Sequence, residues 1–538
     1  MTKRPNILLI LNDDMGYSDI GCYGGEVDTP HLDRLAANGL RFSQFYNTAR
    51  CSPSRASLLT GLHPHQTGIG ILTYDSGPEG YAGNLNQRCA TIAEVLRPAG
   101  YRNYLSGKWH VSSNLTQPTD SWPMQRGFDE FFGTIIGAGS FYDPNTLTRG
   151  NENAEHEARK PGFFYTDAIS DEAVRMVREH KATHADRPFF QYVAYTAPHW
   201  PLHAHPEDIA KYKGRFDAGW DRLREQRLER LVGSGILDAQ WKLSGRDPRQ
   251  PAWTEAEHKA WLANCMEVYA AQIDRMDQGI GRILAALEET GQLEDTLVIF
   301  LADNGACAED IPEGVTIDEL VNKLMIARSH TRDGAEVRFG NNPDIAPGPE
   351  DTYQSYGQAW ANLSNTPFRL YKHWIHEGGI STPLIFHWPR GIAQRGEIRH
   401  TPGYLPDIMA TVCDVTGTAY PQALDGRSIL PLEGHSLKPS FAADAGDRPP
   451  MFWEHEGNAA VRIGRWKLVR EYPRDWELYD MEADRTELND LAAQHPQRVA
   501  DMQRQYEAWA QRCGVLPRDK IVALMRSQGV TRAFWEDE

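Results

Sequence analysis

A few carboxylates, cations and one cysteine carry the chemistry that this 538-residue chain offers. Asp13 and Asp14 close the apolar run "NILLILNDD" (6–14), and Asp303-Asn304 close a second run, "TLVIFLADNG" (296–305). Three carboxylates and an amide oxygen are hard donors. They suit Ca²⁺ or Mg²⁺ and give Zn²⁺ little reason to bind. A single Asp pair more often caps a helix or turn; a second oxygen pair at an equivalent strand end turns the reading toward a cation. Cationic groups share this placement. "SGKWH" (106–110) sets Lys108 and His110 two apart, on one side of an extended segment. "TAPHWP" (196–201) puts His199 just past an apolar run, and "RLYKHWIHEGG" (369–379) offers Lys372.

Cys51 opens "CSPSRASLLTG" (51–61). Pro53 suits a first helical position and Ser52 is expected to cap it, which places Cys51 just outside a helix N-terminus. Free N–H groups there favour an anion, and Arg55 in the first turn can aim its donors at the same anion.

A formal net charge of −17 repels nucleic acid and anionic membranes at long range, so neither is an expected partner. The composition, 41% hydrophobic and 24% charged, is that of a globular protein with a large core. The 7 cysteines are scattered, odd in number and without a C-x-x-C pair, which predicts reduced thiols and no disulfide framework. The apolar run at the N-terminus is too short for a secretory core, and no segment reaches membrane-spanning length. The expected location is the cytoplasm.

To gather such residues the chain needs parallel strands with their carboxyl ends aligned. "NILLILNDD", "FFQYVAYTAPH" (189–199), "TLVIFLADNG" and "TPLIFHWP" (382–389) read as buried strands. Helical patterns over 29–40, 90–100 and 266–291 lie between them, which predicts an α/β fold: a large mixed, mainly parallel sheet flanked by helices. Ligands bind such sheets beyond the strands' carboxyl ends. Residues 1–424 are expected to form this catalytic domain, with a helical insertion over the site at about 201–262 and an irregular, polar surface excursion at 308–362. Residues 425–538 are expected to form a smaller C-terminal α+β subdomain with a short antiparallel sheet and a helix near 494–513.

Taken together these segments resemble the type I, formylglycine-dependent sulfatases of the alkaline phosphatase superfamily, most like bacterial cytosolic arylsulfatases. "CSPSRASLLTG" resembles that family's modification signature, in which the cysteine is oxidised to formylglycine, and "GYRNYLSGKWH" (100–110) looks like its second signature. "DD", "APHW", "ADNG", the lysine ahead of "EGG" and "LYDMEADRTELNDLA" follow in the family's order. Three positions depart from the pattern: Arg50 before the cysteine, Asn103 in the second signature, and Ser381 after "EGGI".

The resemblance implies an alkaline-phosphatase-like fold and hydrolysis of sulfate monoesters, aryl sulfates first, to an alcohol or phenol plus sulfate. It implies one divalent cation, Ca²⁺ by preference with Mg²⁺ or Mn²⁺ as alternatives, held by Asp13, Asp14, Asp303, Asn304 and the modified Cys51. One hydroxyl of the hydrated aldehyde attacks sulfur and expels the alcohol; the second gives up its proton, the aldehyde re-forms and sulfate departs. Asp303 is the implied base for the attacking hydroxyl. Arg55 and Lys108 hold the diol and its developing charge. His110 deprotonates the second hydroxyl, while His199 and Lys372 contact the ester oxygens and protonate the leaving group. Lys108, His199 and Lys372 are thus also the substrate contacts. Four cations in one pocket are expected to offset the −17 field for an anionic substrate.

The implied partners are a small sulfate ester, a formylglycine-generating enzyme during maturation and, through the C-terminal extension, a second copy in a homodimer. A phosphonate monoester or phosphodiester hydrolase with the same formylglycine site is the nearest alternative, since both substrates are tetrahedral anions. A non-catalytic protein that merely holds sulfated ligands would not need the full set of acids and bases. Phe141, Tyr142 and Trp200 are candidates to line an aryl pocket, although aromatics near a site are more often core.

Overall fold

The run at 6–12 forms β1 (Asn6–Asn12), and every residue of it is buried. In the computed structural model, which describes residues 4–311 and 316–527, β1 lies inside an 11-stranded sheet. The other strands are β2 (Leu40–Tyr46), β3 (Arg102–Gly107), β4 (Glu130–Thr134), β5 (Leu147–Arg149) and β6 (Glu152–Asn153). They continue with β7 (Phe189–Ala194), β8 (Thr296–Ala302), β9 (Ser381–His387), β10 (Glu397–Arg399) and β11 (Gly403–Tyr404). The order is β10-β2-β9-β8-β1-β7-β3-β4-β5-β6, with β11 beside β2.

Strands β8, β1, β7, β3 and β4 run parallel, with Leu9 opposite both Tyr192 and Ile299. The strand read at 382–389 departs from this direction. β9 is antiparallel to β8 and to β2. Its beginning, not its end, therefore lies on the edge where the parallel strands finish, and the loop carrying Lys372 arrives at that edge from the opposite chain direction.

Alternate side chains of β1 feed two cores. Leu8 and Ile10 enter one with α3 (Tyr165–Thr183) and α6 (Lys259–Glu289); Ile7, Leu9 and Leu11 enter the other with α2 (Cys51–Thr60) and α8 (Pro406–Thr416). This two-sided burial is why the strands read as continuous apolar runs. Helix α1 (Pro30–Ala37) begins where Asp277 of α6 accepts the backbone N–H groups of His31 and Leu32, at 3.0 and 2.8 Å.

Residues 201–262 contain α4 (Pro206–Lys211) and α5 (Gly219–Gly233). Arg227 of α5 is fully buried and anchors this segment to the loop after β1, donating to Asp19 Oδ1 at 2.8 Å. The described residues of the stretch 308–362 carry more structure than its irregular, polar sequence predicts. It carries α7 (Gly357–Ser364), with Trp360 fully buried, and a small core in which Ile311, Leu320, Ile326, Val337 and Tyr353 join Trp200. These apolar residues follow neither helical nor strand spacing, because they pack on partners distant in sequence.

Near the C-terminus, β12 (Met451–His455), β13 (Asn458–Ile463), β14 (Trp466–Arg470) and β15 (Glu477–Asp480) form an antiparallel sheet. Helix α9 (Pro496–Cys513) lays Met502, Tyr506 and Trp509 on it, and α10 (Arg518–Ser527) follows. A buried ionic network ties this sheet to the start of β9: Lys467 meets Glu377 and Glu487 at 2.9 and 2.7 Å, and Arg485 meets Glu377 at 3.2 Å. Arg485 also donates to Ser381 Oγ at 2.8 Å, so the serine that departs from the family pattern receives a guanidinium from the C-terminal segment. All cysteines are free thiols. Among the described residues no helix is long and apolar enough to cross a membrane.

Candidate functional site

The carboxyl ends of four adjacent strands deliver the polar residues to one place. β1 presents Asp13 and Asp14, β8 presents Asp303 and Asn304, the loop after β7 carries His199, and β3 leads into Lys108 and His110. All these side chains are buried. Asp14 N–H donates to Asp303 Oδ1 at 3.2 Å, and Asn304 Nδ2 donates to Asp14 Oδ1 at 2.7 Å. Lys108 Nζ bonds Asp13 Oδ2. Arg55 Nη2 lies 3.1 Å from Asp303 Oδ2 and 3.6 Å from Asp13 Oδ2.

Lys372 completes the ring from the reversed side, with Nζ 2.8 Å from Asp14 Oδ2 and 3.4 Å from His199 Nε2. His199 Nδ1 faces the Trp200 carbonyl at 2.7 Å. A carbonyl only accepts, so Nδ1 carries the hydrogen, and Nε2 faces both Lys372 Nζ and, at 3.2 Å, Asp14 Oδ2. His110 Nδ1 lies 3.5 Å from Cys51 Sγ. Its close seat requires Gly137, because a Cβ there would stand 2.1 Å from the imidazole. Asp14 and His110 both have positive φ, 65° and 55°, a conformation that side chains pay for and that is concentrated at functional sites.

The helix at Cys51 starts earlier than its sequence predicts. Cys51 is the first helical residue, Arg50 stands at the N-cap without a side-chain cap, and Ser52 Oγ has no hydrogen-bond partner. Pro53 is accommodated within the first turn, where its missing N–H would be an orphan in any case. Arg55 thus lies one turn along, and its Nη1 donates to the Lys108 carbonyl at 3.1 Å.

Burial would raise Asp13, but Lys108 and Arg55 override it and hold the carboxyl below the usual range. Asp303 moves the other way, pushed up by burial and by the charge of Asp13. Burial lowers His199, and it lowers His110 further with the help of Lys108 and Arg55. Burial would lower Lys372, yet Asp14, Cys307 and Glu309 raise it. Cys51 is raised by burial, against the pull of Lys108 and Lys372. An unmodified thiol at this place is therefore a neutral, weak nucleophile. Both histidines are uncharged near neutrality, so the permanent cations are the arginines and lysines.

Two buried oxygens, Asp13 Oδ1 and Asn304 Oδ1, have no hydrogen-bond partner. Leaving such groups unsatisfied costs about 1–3 kcal/mol each. Single ligand atoms of Asp13, Asp14 and His199 lie within 4.8 Å of one another. An oxygen-rich donor set with two unspent acceptors fits a hard divalent cation.

Glu309 is the main group that sequence reasoning missed. It accepts from Arg50 Nη1 at 2.8 Å, from Trp200 Nε1 at 2.9 Å and from the Cys307 thiol at 3.2 Å, and lies 3.6 Å from Lys372 Nζ. Its position a few residues beyond "ADNG" was the available signal, but nothing periodic marks it. Trp200 borders the site, its ring 4.4 Å from that of His199. Phe141 and Tyr142 instead pack on Phe164, at 5.8 and 5.1 Å between ring centroids, within the large core.

Residues 5–418 match the family model described as sulfatase, and 368–511 match that of the N-sulphoglucosamine sulphohydrolase C-terminal region. An uncharacterized sulfatase of Schizosaccharomyces pombe is 31% identical, covering 92% of this chain and 91% of its own. An arylsulfatase of Klebsiella aerogenes is 34% identical, with coverages of 81% and 91%. Among solved structures, a complex of Ps i-CgsB with k-i-k-neocarrahexaose aligns with a TM-score of 0.67 at 24% identity, covering 98% of both chains.

Proposed function

This chain belongs to the sulfatase family and is a sulfuric ester hydrolase, and from that premise we propose that it cleaves aryl sulfate monoesters with one divalent cation and a formylglycine derived from Cys51. The observation that carries the reading is the pair of unspent, buried oxygens on Asp13 and Asn304, set among Asp14, Asp303 and Cys51 and ringed by cations. Asp13, Asp14, Asp303, Asn304 and the modified residue 51 would hold the cation, Ca²⁺ by its preference for many oxygen ligands. The hydrated aldehyde supplies a nucleophilic oxygen, and the cation supplies polarisation of a sulfate oxygen.

The chain's own residues do the rest. Arg55 and Lys108 hold position against Asp303 and Asp13 and face charge that develops at residue 51. Asp303 is the base nearest the Arg55 guanidinium, and His110, with a neutral ring beside residue 51, takes the second hydroxyl's proton. Lys372 carries the proton for the leaving oxygen, with His199 sharing it through Nε2. Formally, Arg50, Arg55, Lys108 and Lys372 meet Asp13, Asp14, Asp303 and Glu309, so the protein's own charges balance. The surplus that draws in an anionic ester falls to the metal. The Klebsiella arylsulfatase, 34% identical, supports the aryl preference.

Peptide mass spectrometry of residue 51 together with paired rates on phenyl sulfate and a phenyl phosphonate monoester tests the reading. Formylglycine and a higher kcat/KM on the sulfate are expected, with activity lost on chelation and restored by Ca²⁺. Cysteine recovered intact from fully active enzyme would sink the proposal.

A further inference from the structure

Glu309 has no step of its own in the proposed chemistry, yet its carboxylate is the meeting point of the groups on the leaving-oxygen side. Oε1 accepts from Arg50 Nη1 at 2.8 Å, while Oε2 accepts from Trp200 Nε1 at 2.9 Å and from the Cys307 thiol at 3.2 Å. Lys372 Nζ lies 3.6 Å from the same Oε2. The backbone is fixed as well, because Ser355 Oγ donates to the Glu309 carbonyl at 2.6 Å.

These contacts reach both members of the pair that serves the leaving oxygen. Lys372 is reached directly. His199 is reached through Trp200, whose indole N–H is spent on Glu309 and whose carbonyl accepts the His199 Nδ1 hydrogen at 2.7 Å. Lys372 Nζ and His199 Nε2 are left 3.4 Å apart, close enough for both to face a single oxygen. Asp14 Oδ2 holds them from the metal side, at 2.8 and 3.2 Å. Glu309 is the second anchor, and two anchors fix a direction where one allows rotation. Arg50, which stands directly before Cys51 and departs from the family pattern, in turn gives Glu309 a cation with only 7% of its side chain exposed.

We propose that Glu309 is the positioning residue for the leaving-group proton donors, and that Arg50 acts on the reaction through it. The identity of those donors rests on the proposed function; the contacts do not. Every group around the carboxylate is a donor: a guanidinium, an indole N–H, a thiol and an ammonium. An amide in its place has one accepting oxygen and one donating NH₂ group. Either Arg50 or the Trp200 and Lys372 side would then meet a donor with a donor. That side loses its setting, and with it the aim of Nζ and Nε2 at the ester.

The parameter kcat/KM reads the step that expels the alcohol. Phenolate is a poor leaving group that needs a proton as it departs, whereas 4-nitrophenolate needs little help. In modified, metal-loaded enzyme, Glu309→Gln is expected to lower kcat/KM about tenfold on phenyl sulfate but no more than about twofold on 4-nitrophenyl sulfate, the pattern of weakened general-acid assistance. Arg50→Met is expected to lower the phenyl sulfate value about threefold alone, and no further when added to Glu309→Gln. If Glu309→Gln does not fold, Glu309→Asp keeps the charge but shortens its reach, and the same selective loss is expected. Equal losses on the two esters, or none, overturn the positioning role, because a merely structural carboxylate would not distinguish leaving groups. Losses that multiply in the double variant overturn the role given to Arg50. Wild type that carries formylglycine and metal yet cleaves neither ester would instead bring down the proposed function, and this inference with it.

Discussion

At the scale of single residues, the site depends on short polar groups seated where strands run out. Cys51→Ala is expected to reduce kcat by more than about 10³-fold, the usual cost of losing a nucleophile, while the melting transition and circular dichroism stay as in wild type. Glu309→Gln tests the residue that links Arg50, Trp200 and Lys372. It keeps the shape but removes the charge, so Lys372 loses one of its two carboxylate neighbours. A drop in kcat/KM of about tenfold is expected, together with a loss of about 1–3 kcal/mol in urea unfolding. Asp13, Asp14, Asp303, Asn304, Lys108, His110 and His199 were legible as a group because each follows an apolar run, Arg55 and Lys372 because they stand in short motifs, and the structure brings them together. Glu309 and Gly137 were not. One lies in a stretch without periodicity, and the other matters only through the imidazole of His110 that it lets in.

At the scale of elements, periodicity and burial decided what could be read. Continuous apolar runs marked β1, β7 and β8 correctly as strands buried on both faces. The same signal was silent about direction, and β9 runs against its neighbours. The start of α2 was misplaced because Ser-Pro reads as cap and first turn, whereas the helix tolerates Pro53 later in that turn. Helix α1 shows a cap that no local pattern could reveal, since Asp277 comes from α6. Burial lifts this carboxyl to about 7, and the two N–H donors offset only part of that. Its folded value lies above the unfolded one near 4, so folding takes up a proton between them. The favourable contribution is complete below the lower value and is lost as pH rises through the higher. Asp277→Asn is therefore expected to flatten the stability profile, with the difference in Tm between pH 5 and pH 8 smaller than in wild type.

At the scale of the whole molecule, the C-terminal sheet is bound to the catalytic edge by a buried apolar cluster, in which Met451, Trp453 and Val469 join Tyr46, Ile375 and Ile380, and by buried charges. Lys467 lies between Glu377 and Glu487, all three fully buried, directly beneath the loop that brings Lys372. Lys467→Met leaves Glu487 without its buried cation and Glu377 with Arg485 alone, and is expected to cost about 3–5 kcal/mol, read from urea unfolding. This contact joins residues about 90 apart, which is why the sequence showed the change of texture after 425 but not the bond across it.

The absence of any sulfur–sulfur link among the cysteines turns maturation into something that can be counted. Only Cys22 and Cys413 are partly accessible, so a colorimetric reagent should titrate those two before denaturation and the remainder after it. Under the proposed function, conversion of residue 51 to an aldehyde would remove one equivalent from the denatured total, so a spectrophotometer alone would report what fraction of a preparation carries it.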